Sequence, residues 1–182
     1  MSHIVDLLEL DQHPVNAGLL TVDPGLGGTG LAFWKDFTVW ESEGVRPPDS
    51  VHSLRTGRQD SHWWDRCIRL SKSFELIMRR YRWPGLVVVE GQELWSSSGT
   101  SQASVGKGDM FKTAYLVGMI GHTVHGGRCI CRLVPPSQWK GQLSKQAVVK
   151  RIKRRLPDVE DACLADHVSD AVGLGLFLMG GL

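Results

Sequence analysis

Asp23 lies in the segment Thr21-Val22-Asp23-Pro24-Gly25-Leu26-Gly27-Gly28-Thr29-Gly30, and Glu90 closes the apolar run Leu86-Val87-Val88-Val89. Each acid ends a stretch that reads as a β-strand. Parallel neighbours in an α/β sheet open their carboxyl ends on one crevice, so acids at both ends converge there. Two carboxylates at one spot repel unless a cation lies between them, and hard oxygen ligands suit Mg²⁺ or Mn²⁺. His167 and Asp170, three residues apart near the C-terminus, fall on one face of a predicted helix. The chemistry these four residues suggest is that of a divalent-metal site.

The elements that must position them can be read along the chain. Residues 18–22, 30–35 and 37–41 read as strands, the last two joined by a tight turn at Lys35-Asp36. Residues 45–60, with Pro47-Pro48 and Gly57, read as a loop. Helical spacing then runs over 62–81 until Pro84-Gly85 stops it, and 86–90 is a continuous β-branched strand of the parallel, buried type. Residues 96–108 hold Ser, Gly and Thr with scarcely an apolar anchor, a mobile loop beside the Glu90 end. Asp109 is expected to cap a helix to about 124, 128–134 is the next strand, and Pro135-Pro136 breaks it. Helices over 144–155 and 165–179 complete the chain. The class is α/β, with an antiparallel three-strand meander followed by parallel strands.

At 182 residues, 42% hydrophobic and 22% charged, the chain is expected to form a single domain over 1–182, with 1–17 as an N-terminal extension. The start of the chain carries Asp6, Glu9 and Asp11 rather than the basic, apolar pattern of a secretory signal. Residues 171–179 are too short for a bilayer, which needs roughly 20 residues. No membrane association and a cytoplasmic location are expected. Cys67, Cys129, Cys131 and Cys163 lack the spacing of a disulfide framework or zinc ribbon. Cys129 and Cys131 share one face of a strand and read as small apolar groups. His122 and His125 have no third ligand nearby and read as surface residues of a helix end.

Charge is concentrated locally despite a net +2. Residues 137–156 hold Lys140, Lys145, Lys150, Arg151, Lys153, Arg154 and Arg155 with no acid, a patch sized for a polyanion or a solvated helix face. A second run, from Arg66 to Arg82, is interleaved with Asp65, Glu75 and apolar residues and reads as an amphipathic helix. Gly25, Gly27 and Gly28 let a backbone approach a phosphate or take positive φ, and serve an ordinary hairpin turn equally well. Gly106-Lys107-Gly108 fails the P-loop pattern, because Gly108 stands where Ser or Thr is required.

A strand ending Asp23-Pro24-Gly25, a Thr29-Gly30 turn into a second strand, Val88-Val89-Glu90 after a long helix, and His167-Val168-Ser169-Asp170-Ala171 on a terminal helix together resemble the RuvC-type Holliday junction resolvases of the ribonuclease H-like superfamily. The stretch Pro135-Pro136-Ser137-Gln138-Trp139-Lys140-Gly141-Gln142-Leu143-Ser144-Lys145 is similar to the one that follows that family's fifth strand. The resemblance implies a ribonuclease H-like five-stranded mixed sheet flanked by helices. It assigns Asp23, Glu90, His167 and Asp170 to two Mg²⁺ ions and Lys140 and Lys145 to the DNA. Many members carry two aspartates in the closing pair. Here the first is His167, and Asp166 beside it is a rival ligand, as Glu93 is for Glu90.

The implied activity is metal-dependent resolution of four-way DNA junctions by paired phosphodiester cleavage, leaving a 5′ phosphate. Lys140 would stabilise the reacting phosphate, and Lys150, Arg151 and the loop residues Arg55 and Arg58 would add phosphate contacts with steep salt dependence. Trp95 either stacks on an unpaired base or packs in the core. A homodimer follows from the resemblance and from the symmetry of the substrate, through the helix at 62–81 or the one at 110–124. Two alternatives stand beside it: a nuclease of the same superfamily acting on flaps, forks or RNA, and a non-catalytic nucleic-acid-binding module.

Overall fold

The computed structural model describes residues 18–35, 46–57, 62–92, 108–127, 129–180 and 182. The elements are β1 (Leu19–Asp23), β2 (Gly28–Trp34), β3 (Ser50–Arg55), α1 (Trp63–Arg80), β4 (Leu86–Glu90), α2 (Asp109–Gly126), β5 (Ile130–Val134), α3 (Pro136–Trp139), α4 (Lys145–Arg155) and α5 (Asp166–Leu178). A 3₁₀ turn, Asp161–Leu164, joins α4 to α5. The five strands form one sheet in the order β3-β2-β1-β4-β5. β1, β2 and β3 pair antiparallel, whereas β4 pairs parallel with both β1 and β5.

Helices cover both faces, which explains why β1 and β4 are apolar without alternation. On one side Leu20, Val22, Val87 and Val89 pack against Phe74 and Met78 of α1 and Leu116 and Ile120 of α2. On the other, Leu19 and Val88 meet Val148 and Ile152 of α4 and Val168, Val172 and Leu176 of α5. Side chains alternate along a strand, so Asp23 shares the α5 side with Leu19 and Thr21, as Glu90 does with Leu86 and Val88. The parallel register sets Val22 opposite Val89. The next residues are Asp23 and Glu90, which therefore end side by side and point the same way.

The third strand differs from expectation. Residues 45–60 are not all loop, because Ser50–Arg55 pairs along β2 with Val51 opposite Ala32. Its sequence, Ser-Val-His-Ser-Leu-Arg, spaces Val51 and Leu54 by three and carries no strand periodicity. The strand forms because β2 offers a free edge and Tyr81 fastens it. The Tyr81 hydroxyl lies 2.6 Å from both Ser50 Oγ and His52 Nε2, while its ring stacks on Phe33. Residues 37–41, read as the third strand, lie outside the described residues. Asp109 is also not the cap of α2: Gly108 holds that position in a left-handed conformation, and Asp109 pairs with Lys112 one turn on. No helix among the described residues is long and apolar enough to cross a membrane. All four cysteines are free, and burial pushes their thiols up, Cys129 to about 11, in keeping with apolar packing.

Candidate active site

The carboxyl ends of β1 and β4 present Asp23 and Glu90, each only 7% exposed. α5 brings His167 and Asp170 over them from its first turns. Two features let this helix sit so close. Thr21 Oγ1 donates to the Ala171 carbonyl at 2.7 Å, tying β1 to α5. Gly30 of β2 lies directly beneath the His167 carbonyl and the Val168 nitrogen, where any Cβ would collide with backbone. Gly25 leaves room in the same way for the His167 ring. None of Gly25, Gly27 and Gly28 has positive φ, so close approach rather than handedness explains Gly25.

After β5, Pro135 and Pro136 turn the chain into α3, which delivers Trp139 and Lys140 to the same place. Lys140 Nζ donates to Glu90 Oε1 and Oε2 at 3.1 and 3.0 Å and to Asp170 Oδ2 at 3.3 Å. Trp139 Nε1 donates to Glu90 Oε2 at 3.0 Å. His167 Nδ1 lies 2.8 Å from Asp23 Oδ2. Lys145, the first residue of α4, reaches Asp166 Oδ1 at 2.8 Å and Asp170 Oδ2 at 3.6 Å. Six sequence-predicted residues from four elements and one turn thus meet in one crevice.

The electrostatics follow from that crowding. Burial, and then the neighbouring Asp23 charge, push the Glu90 carboxyl up to about 7 against the pull of Lys140. Burial opposes the charge of Lys140 as well, but Glu90 and Asp170 outweigh it and hold the ammonium above its ordinary pKa. The hydrogen bond to Asp23 raises the His167 pKa in spite of partial burial. With Nδ1–H given to Asp23, a neutral His167 keeps its lone pair on Nε2. Asp166 is held low by its hydrogen bond from Lys145.

Among the described residues no three His, Cys, Asp or Glu side chains are already drawn together as a metal cage. The acids are paired instead, Asp23 with His167 and both Glu90 and Asp170 with the Lys140 ammonium. The donor set nevertheless fits a divalent ion. Asp170 Oδ1 is buried with no hydrogen-bond partner, and burial, followed by the Asp23 charge, opposes the charged form of Glu90 even with Lys140 beside it. A hard cation relieves both conditions, and the carboxylate oxygens of Asp23, Glu90 and Asp170 are the ligands it favours, with the His167 imidazole as a nitrogen donor beside them.

Asp166, the rival of His167, has a side chain 72% exposed and turns to Lys145, whereas His167 contacts Asp23. Arg55 is the exposed last residue of β3 rather than a loop residue, with its side chain beside Gly28 at the rim of the crevice. Lys150 and Arg151 lie on the solvent face of α4, which leads away from Lys145. Arg58, Glu93, Trp95 and most of the 96–108 loop lie outside the described residues. Sequence reasoning missed the role of Trp139 toward Glu90, although its place directly before Lys140 is a signal. It also missed Gly30 as the seat of α5.

A five-stranded mixed sheet of this order, with helices on both faces and acids at the ends of adjacent strands, is the ribonuclease H-like arrangement. Comparison with solved structures gives that arrangement a specific form. Thermus thermophilus RuvC in complex with a Holliday junction substrate superposes with a TM-score of 0.64 at 19% identity, covering 88% of this chain and 90% of that one. A second Thermus thermophilus RuvC structure gives 0.59 at 18% identity, covering 88% and 92%. The chain therefore has the RuvC-type fold over most of its length. No protein-family model matches it, and no curated protein matches it in sequence.

Proposed function

We propose that this single-domain protein is a divalent-metal-dependent endonuclease that resolves four-way DNA junctions, as a homodimer, by paired phosphodiester cleavage. The observation that carries this reading is the meeting of Asp23 and Glu90, at the ends of adjacent parallel strands, with His167 and Asp170 of α5, Asp23 paired with His167 and Lys140 set between Glu90 and Asp170. The shared fold with a RuvC bound to a Holliday junction supports the choice of substrate.

Asp23, Glu90, His167 and Asp170 would hold Mg²⁺ or Mn²⁺, which when bound neutralises charge on the scissile phosphate and lowers the pKa of water. Water attacks phosphorus and the bond to the 3′ oxygen breaks, leaving a 5′ phosphate and a 3′ hydroxyl. Lys140 is placed to neutralise the non-bridging oxygens of that phosphate. Lys145, braced by Asp166, stands at the approach to the crevice. Arg55 and the exposed Lys150 and Arg151 add contacts to flanking phosphates, which position the DNA without reading its sequence. Two active sites must address two strands of like polarity, and exposed Trp64 on α1 with Phe111 and Tyr115 on α2 supply apolar surface for a dimer. A purely DNA-binding role gives no use to Asp23, Glu90 and Asp170 gathered in one crevice, since carboxylates repel a phosphate backbone unless cations stand between them.

The test is cleavage of a synthetic four-way junction in Mg²⁺ or Mn²⁺, beside three-way, flap, fork and RNA–DNA substrates, with native gel sizing of the complex. Symmetric nicks in the four-way junction by a two-protomer complex support the reading. Preference for a flap, fork or RNA substrate moves the function elsewhere in the superfamily, and binding without cleavage under all metals overturns catalysis.

A further inference from the structure

We propose that Trp139 is a positioning residue for the acidic centre, setting the Glu90 carboxylate with its indole N–H and seating the Lys140 ammonium on its ring. The inference rests on the metal-dependent reading above. Trp139 is 4% exposed and donates to Glu90 Oε2, while Lys140 Nζ lies 4.8 Å from its ring centroid. One side chain therefore holds both a carboxylate ligand and the cation beside it.

The ring is itself held by the helix that carries the other half of the site. A Cβ on Gly173 of α5 would come within 2.9 Å of Trp139 Cζ3, so the indole packs flush against the helix one turn after Asp170. Trp139 thus couples the position of α5, with His167 and Asp170, to the orientation of Glu90 on β4. Tryptophan suits this role because it combines a large apolar body with a donor that has no acceptor character. An N–H donated to a carboxylate is charge-assisted and directional, so it fixes that Oε1 is the Glu90 oxygen shared, among the described residues, with no donor but Lys140 and freed when that ammonium withdraws. When a divalent ion or phosphate draws Lys140 away from Glu90, the ring face still offers the ammonium a partner.

The experiment uses the full-length protein, with Mg²⁺ binding by calorimetry and the indole N–H resonances of ¹⁵N-labelled protein followed through a Mg²⁺ titration. Trp139→Phe keeps an aromatic ring, though a smaller one, and removes the donor. It is expected to raise the Mg²⁺ dissociation constant by about 10- to 100-fold, the effect of losing a group that orients a ligand, beside a fall in melting temperature from the lost packing and hydrogen bond. In the wild type, the indole resonance missing from Trp139→Phe should be the one that Mg²⁺ shifts. Equal Mg²⁺ affinity in wild type and variant overturns the positioning role and leaves the nuclease reading intact. Should Trp139→Phe fail to fold, the wild-type Trp139 indole resonance, assigned instead by its through-space contacts to Gly173, overturns it as well if it is insensitive to bound Mg²⁺. A wild type that binds no Mg²⁺ removes the metal reading and this inference together.

Discussion

Nδ1 of His167 stands 2.8 Å from Oδ2 of Asp23, joining the end of the first strand to the start of the last helix. The contact exists because Gly30 lets α5 rest on β2 with backbone against backbone. A side chain at residue 30 would lift the helix that carries His167 and Asp170 away from Asp23 and Glu90.

Gly30→Ala should therefore disturb stability and chemistry together. Overpacking of this kind costs about 1–3 kcal/mol. A thermal melt should register a loss of several degrees, with cleavage reduced further than the melt alone explains. A variant with wild-type melting and wild-type cleavage would show that α5 can shift without harm.

Asp23→Asn, Glu90→Gln and Asp170→Asn should each reduce cleavage by about 10²–10³-fold or more, the scale of removing one group that stabilises a transition state. Junction binding in Ca²⁺ should persist, because the basic surface is untouched. Gel-based cleavage and band-shift assays on the same preparations separate the two effects. Any one of these variants that cuts at the wild-type rate has no place in the site.

Lys140→Met removes the cation from between Glu90 and Asp170. Breaking a largely buried pair destabilises by about 3 kcal/mol or more, so the metal-free variant should melt well below the wild type. Mg²⁺ should restore more stability to the variant than it adds to the wild type, since it neutralises the same acids. Equal Mg²⁺-induced shifts in melting temperature would contradict that account.

Lys150→Gln and Arg151→Gln lie on an exposed helix face and should leave melting unchanged. Each lost phosphate contact should weaken junction binding and reduce the slope of log affinity against log salt by about 1. Titrations at several salt concentrations provide the measurement. An unchanged slope in both variants would confine the DNA path to Lys140, Lys145 and the rim.

The Tyr81 corner predicts a pH effect far from the site. Burial, followed by the Arg80 charge, lowers the His52 pKa in the folded state. The unfolded chain therefore binds the proton more readily, so His52 contributes full stability above its ordinary pKa of about 6.5 and loses it as the pH falls below that value. His52→Gln should flatten the fall in melting temperature on the acid side of neutrality. Tyr81→Phe, which removes the hydroxyl shared by Ser50 and His52, should destabilise by about 1–3 kcal/mol.

Much of this architecture was legible in local pattern. The apolar runs at β1 and β4, each ending in an acid, announced buried parallel strands, and the helical spacing from Cys67 through Leu70 and Phe74 to Met78 announced α1. β3 was not legible, because an edge strand with half-solvated faces draws its order from the ladder of β2 and from Tyr81. Trp139 was legible only as part of a motif. Its hydrogen bond to Glu90 joins residues whose proximity depends on β5 lying beside β4.

The amino-acid sequence by itself determined which residues bear charge, which segments must be buried, and that Asp23, Glu90 and Asp170 each sit at the edge of such a segment. Those properties are local, set by side-chain chemistry and by the periods of helix and strand. Only the tertiary structure decided that Asp23 pairs with His167, that Lys140 stands between Glu90 and Asp170, and that Trp139 rather than solvent meets the Glu90 carboxylate. Each of these contacts depends on the register of β1 with β4 and on the depth at which Gly30 seats α5. Both are products of packing that no single segment encodes.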